Sequence, residues 1–293
     1  MRGSPHGSER LRFNYDTAAA RSVGRSARQA LAEKGFFYVA RLAALGAAFP
    51  LWRLYDKVFP RRFTFQSERY PYFLHSYNIT WSNERAVEVP IAWAAVRGCR
   101  GRVLEVGNVL GHYFDVAHEV VDKFERGATV RNDDAAGFRS PHRYDLIVSI
   151  STLEHVGWDE EPRDPGKIVR AIANLRRLLA PGGRLLATLP LGYNPAMDAM
   201  LAAGELPFDR CHYLKREGLV TWSEAGWAAV AGSTYAERWP GTRGLVVGIV
   251  DGPGAGGVAG RGAAEGPGSG GSPGIVDGPG TMDGPGVIAR PRP

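Results

Sequence analysis

Apolar residues along the chain follow two periods, and the switches between them lay out the elements. Short apolar runs with β-branched residues stand at 103–106 (Val-Leu-Glu-Val), 119–122 (Glu-Val-Val-Asp), 128–134 (Ala-Thr-Val-Arg-Asn-Asp-Asp), 144–150 (Tyr-Asp-Leu-Ile-Val-Ser-Ile) and 184–189 (Arg-Leu-Leu-Ala-Thr-Leu). Val103, Leu104 and Val106, like the almost wholly apolar fourth run, have the pattern of strands buried on both faces. Between the fourth and fifth runs, Ile168, Val169, Ile172, Leu175, Leu178 and Leu179 recur at helical spacing. Asp164 and Pro165 read as the N-cap and first residue of that helix, and Pro181-Gly182-Gly183 as its stop. Strands alternating with helices and short turns predict a parallel sheet with right-handed crossovers.

The flanks have other textures. Residues 1–25 are polar, basic and without periodicity, the composition of a disordered segment. An apolar helical pattern covers residues 26–55, with Pro50 predicted to break it. Aromatics and arginines border its apolar face, so it either packs on the main domain or lies on a membrane surface. Residues 63–82 are aromatic-rich and poor in helix formers, which reads as a packed, irregular cover or as a segment that closes over a ligand. A helix is predicted from Asn83 through Val96, interrupted by Pro90, leading to the first strand. Two later strands are expected at 219–222 and 245–250, with a helix between Ser223 and Ala231. From Asp251 on, Gly and Pro dominate and Asp-Gly-Pro-Gly recurs, a composition that cannot bury enough surface to offset chain entropy. The expected organisation is a disordered basic N-terminus (1–25), a helical and aromatic-rich extension (26–80), a main domain (81–250) and a disordered Gly/Pro-rich tail (251–293).

Charge narrows the function classes. The net charge is +6, but residues 1–70 hold 13 Lys and Arg against 5 Asp and Glu. That is a balance of +8, which leaves the rest slightly acidic and argues against a nucleic-acid-binding groove in the main domain. The two cysteines, Cys99 and Cys211, form neither a metal-binding spacing nor a disulfide framework, which points to a reducing, cytoplasmic compartment. No apolar run is long enough to span a bilayer. Residues 26–60 remain a candidate for peripheral membrane contact.

The candidate chemistry gathers at strand ends. Glu105 sits at the end of the first strand, and Gly107 breaks the strand and lets a ligand approach where a Cβ would collide. Gly111 repeats the allowance four residues on. Glu105-Val-Gly-Asn-Val-Leu-Gly111 resembles motif I of class I S-adenosylmethionine-dependent methyltransferases, with Val109 in place of the middle glycine. Ser-Thr-Leu-Glu-His-Val (151–156) and Leu-Leu-Ala-Pro-Gly-Gly-Arg-Leu (178–185) are similar to segments of the same family. The resemblance covers residues 80–250 and rests on order and spacing. It implies an α/β fold with a Rossmann-like, mostly parallel seven-stranded sheet flanked by helices, and S-adenosyl-L-methionine as cofactor. It further implies that Glu105, Gly107, Gly111, Asp122 (ribose hydroxyls) and Asp134 (adenine amino group, with Asp133 as runner-up) bind that cofactor. His155 and Glu154 become the candidate catalytic pair. Ser151 replaces the first acid of the metal-holding Glu-x-x-Glu-His variant, so no metal is expected.

The cofactor's positive sulfonium suits carboxylates, and no Lys or Arg stands between Leu104 and Asp122 to cradle a phosphate. Two other readings stay open: a non-catalytic binding or scaffold protein of this fold, and a nicotinamide-dependent oxidoreductase. Against the latter, only fifteen residues separate Gly107 from Asp122, where a dinucleotide fingerprint wants about twenty. A small-molecule or sugar-containing acceptor is the expected substrate.

Overall fold

The structure, a computed structural model, describes residues 36–218, 220–236 and 241–254. The expected disordered N-terminus, the first part of the extension and the tail from residue 255 lie outside the described residues.

Helix α1 (Phe36–Val58) runs through Pro50 rather than breaking there. A proline removes one backbone donor and costs about 3 kcal/mol, which leaves the turns on either side free to stay helical. The helix meets the rest of the chain through Trp52, whose ring lies 5.8 Å from Trp81 and under the Arg61 guanidinium. Strands β1 (Arg62–Phe65) and β2 (Glu68–Pro71) form a hairpin where an irregular cover was expected. Its turn, Gln66-Ser67, takes left-handed φ at both residues, the geometry that suits the twist of the flanking strands. Gln66 N–H donates to Glu224 at 2.8 Å and ties the hairpin to the main sheet. Helix α2 (Arg85–Gly98) follows, as its apolar pattern predicted, with Pro90 inside.

The main sheet has eight strands, not seven. In chain order they are β3 (Val103–Val106), β4 (Glu119–Val121), β5 (Val130–Arg131), β6 (Tyr144–Ile150), β7 (Leu179–Pro190), β8 (Arg210–Arg216), β9 (Trp222–Ala225) and β12 (Gly244–Asp251). β10 (Tyr235–Ala236) and β11 (Gly241–Thr242) pair apart from it. The spatial order is β5-β4-β3-β6-β7-β12-β8-β9. The first five strands are parallel, and β12 lies antiparallel between β7 and β8.

The flanking helices are sparser than expected. Helix α3 (Lys167–Arg177) fills the crossover from β6 to β7. The β3–β4 crossover holds only one 3₁₀ turn, Leu110–His112, because its few residues leave no room for a helix to return. Gly166, not Asp164, is the N-cap of α3. Helix α4 (Pro195–Ala202) is capped by Asn194, whose side chain accepts from Met197 N–H. The helix expected at 223–231 shrinks to α5 (Trp227–Val230), since Ser223–Ala225 pair with β8. Alternate residues of the sheet feed two apolar layers. Ile147, Leu185, Leu189 and Val246 pack with α3, while Leu146, Val148, Ile150 and Val247 pack with α2 and the hairpin.

Candidate active site

Strand order reverses beside β3, where β4 lies on one side and β6 on the other. A crevice opens at the carboxyl ends of strands at such a switch point, and ligands bind there in open α/β sheets. The loop leaving β3 is held from below. Glu105 is buried, and its Oε1 accepts the backbone N–H groups of Val109 (2.8 Å) and Leu110 (2.7 Å). Its Oε2 lies 2.8 Å from His118 Nε2. Gly107 has φ +88°, and a Cβ there would stand 2.1 Å from the Thr152 hydroxyl. Only glycine satisfies both demands. Gly111 is exposed and faces Asn108.

A cavity of about 320 Å³ occupies the crevice, a size at the lower end of small-molecule sites. Gly107, Asp122, Asp134 and His155 line it together with Phe124, Ala135, Ser151, Thr152, Val156 and Glu160; Glu105, Gly111 and Glu154 do not. Asp122 Oδ1 accepts from the N–H groups of Phe124 (2.8 Å) and Glu125 (2.6 Å) and so fixes the turn after β4. Its Oδ2 has no hydrogen bond among the described residues. Phe124, 68% exposed, presents an apolar ring at the rim.

Basic groups enter from outside the stretch that the sequence cleared of them. Lys123 Nζ lies 2.9 Å from Asp134 and 2.7 Å from Glu160, and Lys167 Nζ lies 2.5 Å from each of the same two carboxylates. Burial would raise the Asp134 pKa, but the hydrogen bonds from Lys167 and Lys123 outweigh it and hold the carboxyl down at about 2. Asp134 Oδ1 accepts from Ala136 N–H, so both oxygens of the residue assigned to the adenine are engaged.

The opposite wall rises from the end of β6. Ser151 takes φ +38° and its hydroxyl lies 2.5 Å from Glu88 Oε1. His155, whose side chain is 40% exposed, places Nδ1 2.6 Å from Asp159 Oδ2, and Tyr193 Oη donates to the same oxygen at 2.6 Å. His155 Nε2 lies 3.6 Å from Glu154 Oε1, beyond hydrogen-bond reach. The Tyr193 ring packs edge-on against both His155 and Tyr235. Glu154 is 1% exposed, and burial raises its pKa well above the ordinary value, with the Glu88 and Glu84 charges adding to the rise.

The sequence did not single out Phe124, Lys123, Glu160, Asp159 or Tyr193. Phe124 and Lys123 directly follow Asp122, so proximity to that acid was a usable signal. Asp159 stands four residues after His155, one helical turn on, the spacing that lets two side chains meet. Tyr193, Glu84 and Glu88 stand in stretches, 189–195 and 77–90, that resemble the same family, but far from the motif in sequence, and nothing local marked them as site residues. Among the described residues no group of three or more His, Cys, Asp or Glu is arranged to hold a metal ion.

No protein-family model matches the chain. No curated protein matches it either. Among solved structures it is similar to the N-methyltransferase NodS from Bradyrhizobium japonicum, at 15% identity and a TM-score of 0.36, covering 58% of this chain and 96% of that one. It is also similar to the sugar N-methyltransferase KedS8 from Streptoalloteichus (17% identity, TM-score 0.31, 56% and 87% covered). The glycopeptide N-methyltransferase MtfA matches at 17% identity and a TM-score of 0.30, with 55% and 85% covered. At these values the likenesses decide neither cofactor nor acceptor, and this chain's own residues carry the functional reading.

Proposed function

We propose that the protein is an S-adenosylmethionine-dependent methyltransferase acting on a small-molecule or sugar-containing acceptor. The observation that carries this reading is the pairing of Gly107 with Asp122 across the switch-point cavity. Gly107, at a φ of +88° and packed against Thr152 where no Cβ fits, turns bare backbone toward the cavity, and Asp122 offers a carboxylate oxygen without a partner among the described residues. The donor set fits the cofactor. Five carboxylates (Asp122, Glu125, Asp133, Asp134 and Glu160) line the cavity against one lysine, Lys123, which Asp134 and Glu160 already neutralise. That surrounding suits a sulfonium and opposes a pyrophosphate.

When bound, the cofactor would supply an electrophilic methyl group on a positively charged sulfur. Asp122 Oδ2 would accept from the ribose hydroxyls, the backbone at Gly107 would allow a close approach, and Phe124 would offer an apolar ring to the base. Asp134 stays a candidate for the adenine amino group, reached only if a lysine yields its oxygen. On the far wall Asp159 holds His155 Nδ1–H, which leaves Nε2 free to take a proton from the acceptor. Alignment of acceptor and methyl group supplies most of the remaining acceleration. Calorimetry with S-adenosylmethionine and its demethylated product tests the reading directly: binding of both is expected, and binding of neither would remove it.

The exposed apolar residues Leu51, Leu54 and Val58 of α1, with Phe59 just after it, stand beside Arg53 and Lys57. No helix among the described residues is long and apolar enough to cross a membrane. Peripheral contact of α1 with an anionic lipid surface is part of this proposal. Co-sedimentation with phosphatidylserine vesicles that is unchanged by Leu51→Ser together with Val58→Ser would exclude it.

A further inference from the structure

Behind the His155 wall lies a group of buried carboxylates that the proposed cofactor chemistry does not use. Glu88 is satisfied, accepting from Ser151 Oγ (2.5 Å) and Arg85 Nη1 (3.1 Å). Glu84 and Glu154 are not. Each has a buried Oε2 with no hydrogen-bond partner among the described residues, at 7% and 1% residue exposure. Arg85 is the guanidinium shared among the three acids, and it is already committed to Glu88 and to the Ile150 carbonyl. A buried acid without a partner costs several kcal/mol. A cationic ligand with N–H donors would offset that cost. A metal ion does not answer the need, since no metal-holding group exists among the described residues.

The group adjoins the cavity. Ser151 and His155 line the cavity on one side and touch Glu88 and Glu154 on the other. The edge-on rings of Tyr193 and Tyr235 flank the same place, and both tyrosines feel the Glu154 charge.

We propose that Glu154, backed by Glu84 and Glu88, receives the ammonium group of the acceptor, so that the methyl group is transferred to an amine nitrogen. The inference deepens the proposed function and rests on it. Glu154 binds the cation, and His155 Nε2, 3.6 Å from Glu154 Oε1, takes one proton from it. The freed nitrogen lone pair forms the new N–C bond as the S–C bond breaks with its electron pair left on a now neutral sulfur. The product is the protonated methylamine. A hydroxyl acceptor carries no charge to set against the carboxylates and has no equivalent hold.

The experiment uses the full chain, S-adenosylmethionine labelled with ¹³C at the methyl group, and a small-molecule extract, read by proton–carbon correlation spectroscopy. N-methyl and O-methyl carbons resonate in separate ranges. N-methyl signals are expected from the wild type, falling about 30-fold or more in Glu154→Gln, the scale for losing one partner of a desolvated charge pair. Glu154→Gln keeps the shape and replaces a carboxyl whose ionisation burial already disfavours, so it should fold about as well as the wild type. O-methyl signals, or N-methyl signals unchanged in the variant, overturn the proposal. Where no methylated product forms, thermal shift with n-butylammonium against n-butanol decides. The wild type alone should be stabilised, and by the ammonium alone; no stabilisation of the wild type overturns the proposal. Loss of cofactor binding with ammonium binding intact would instead overturn the proposed function.

Discussion

Glu105 and His118 form a buried pair, Oε2 to Nε2 at 2.8 Å, while the other oxygen of Glu105 holds the N–H groups of Val109 and Leu110. The acid that the motif resemblance assigned to the cofactor therefore shapes the loop that Gly107 opens and does not line the cavity. Replacing it breaks a buried pair and two charge-assisted hydrogen bonds. Glu105→Ala is expected to lose about 3–5 kcal/mol of stability, and Glu105→Gln about 1–2 kcal/mol, since its carbonyl still accepts. Urea unfolding measures both. Unchanged stability with weakened cofactor binding would restore Glu105 to ligand contact.

Asp122 differs in having one oxygen spent on its own turn and one to offer. Asp122→Asn keeps the acceptor for Phe124 and Glu125 N–H and removes the charge. Under the proposed function it should weaken cofactor binding by about 1.5–3 kcal/mol, roughly 10- to 150-fold, with little change in melting temperature. Calorimetry of equal affinity would take Asp122 out of the site.

What the sequence showed and what it hid divide along physical lines. β3, β6 and the Gly107 turn were legible because burial on both faces leaves an apolar run and a sharp turn needs glycine. Arg-Cys-His-Tyr-Leu-Lys-Arg of β8 was not, because three of its seven residues are charged and its neighbours β12 and β9 arrive later in the chain. Gln66-Ser67 carries no glycine to announce a hairpin. Asp122 and His155 were readable as strand-end residues. Glu84, Glu88 and Tyr193 reach the same wall only through tertiary packing, which no local pattern encodes.

Burial, and then the charge of Glu88, push the Glu84 pKa up to about 7 from the usual 4.5. A carboxyl raised in the folded state contributes stability that is complete below its unfolded value and lost as pH rises through the folded one. The wild type should therefore lose stability between about pH 4.5 and 7, by at most about 3–4 kcal/mol from this group at 1.36 kcal/mol per unit. Glu84→Gln should flatten that part of the profile. Melting curves at pH 5 and pH 8 that shift equally in both proteins would refute the assignment.

The end of β12 is tied by Asp251, whose carboxylate pairs with Arg210 at 2.5 and 2.9 Å. Gly252 N–H donates to Gly183 O and Gly182 N–H to Pro253 O, both at 2.8 Å. A chain ending at residue 250 loses all of these, and one ending at 254 keeps them. With a partly exposed ion pair contributing under about 1 kcal/mol and the backbone bonds about 1 kcal/mol together, the shorter chain should melt about 2–8 °C lower. Equal melting temperatures would show that the closure at Asp251 contributes nothing.

The His155–Asp159–Tyr193 arrangement separates a proton-accepting role from a loop cap. If His155 only caps, its variants should lose stability and leave turnover per folded molecule intact. As the base, His155→Gln should lower turnover roughly 10²- to 10⁴-fold with cofactor affinity unchanged. Asp159 then acts as a positioning residue: it fixes Nδ1–H and stabilises the imidazolium once Nε2 gains a proton. Removing its charge should make the ring harder to protonate. Asp159→Asn is therefore expected to shift the acidic limb of the pH–rate profile to lower pH and to reduce the rate less than His155→Gln does. Tyr193→Phe deletes one of the two hydrogen bonds at Asp159 Oδ2. With that donor gone the carboxylate becomes more basic toward His155, so the limb should move the opposite way, to higher pH. Opposite shifts in Asp159→Asn and Tyr193→Phe are a signature that a merely structural histidine would not produce. An unmoved limb in both variants would remove His155 from the proton path.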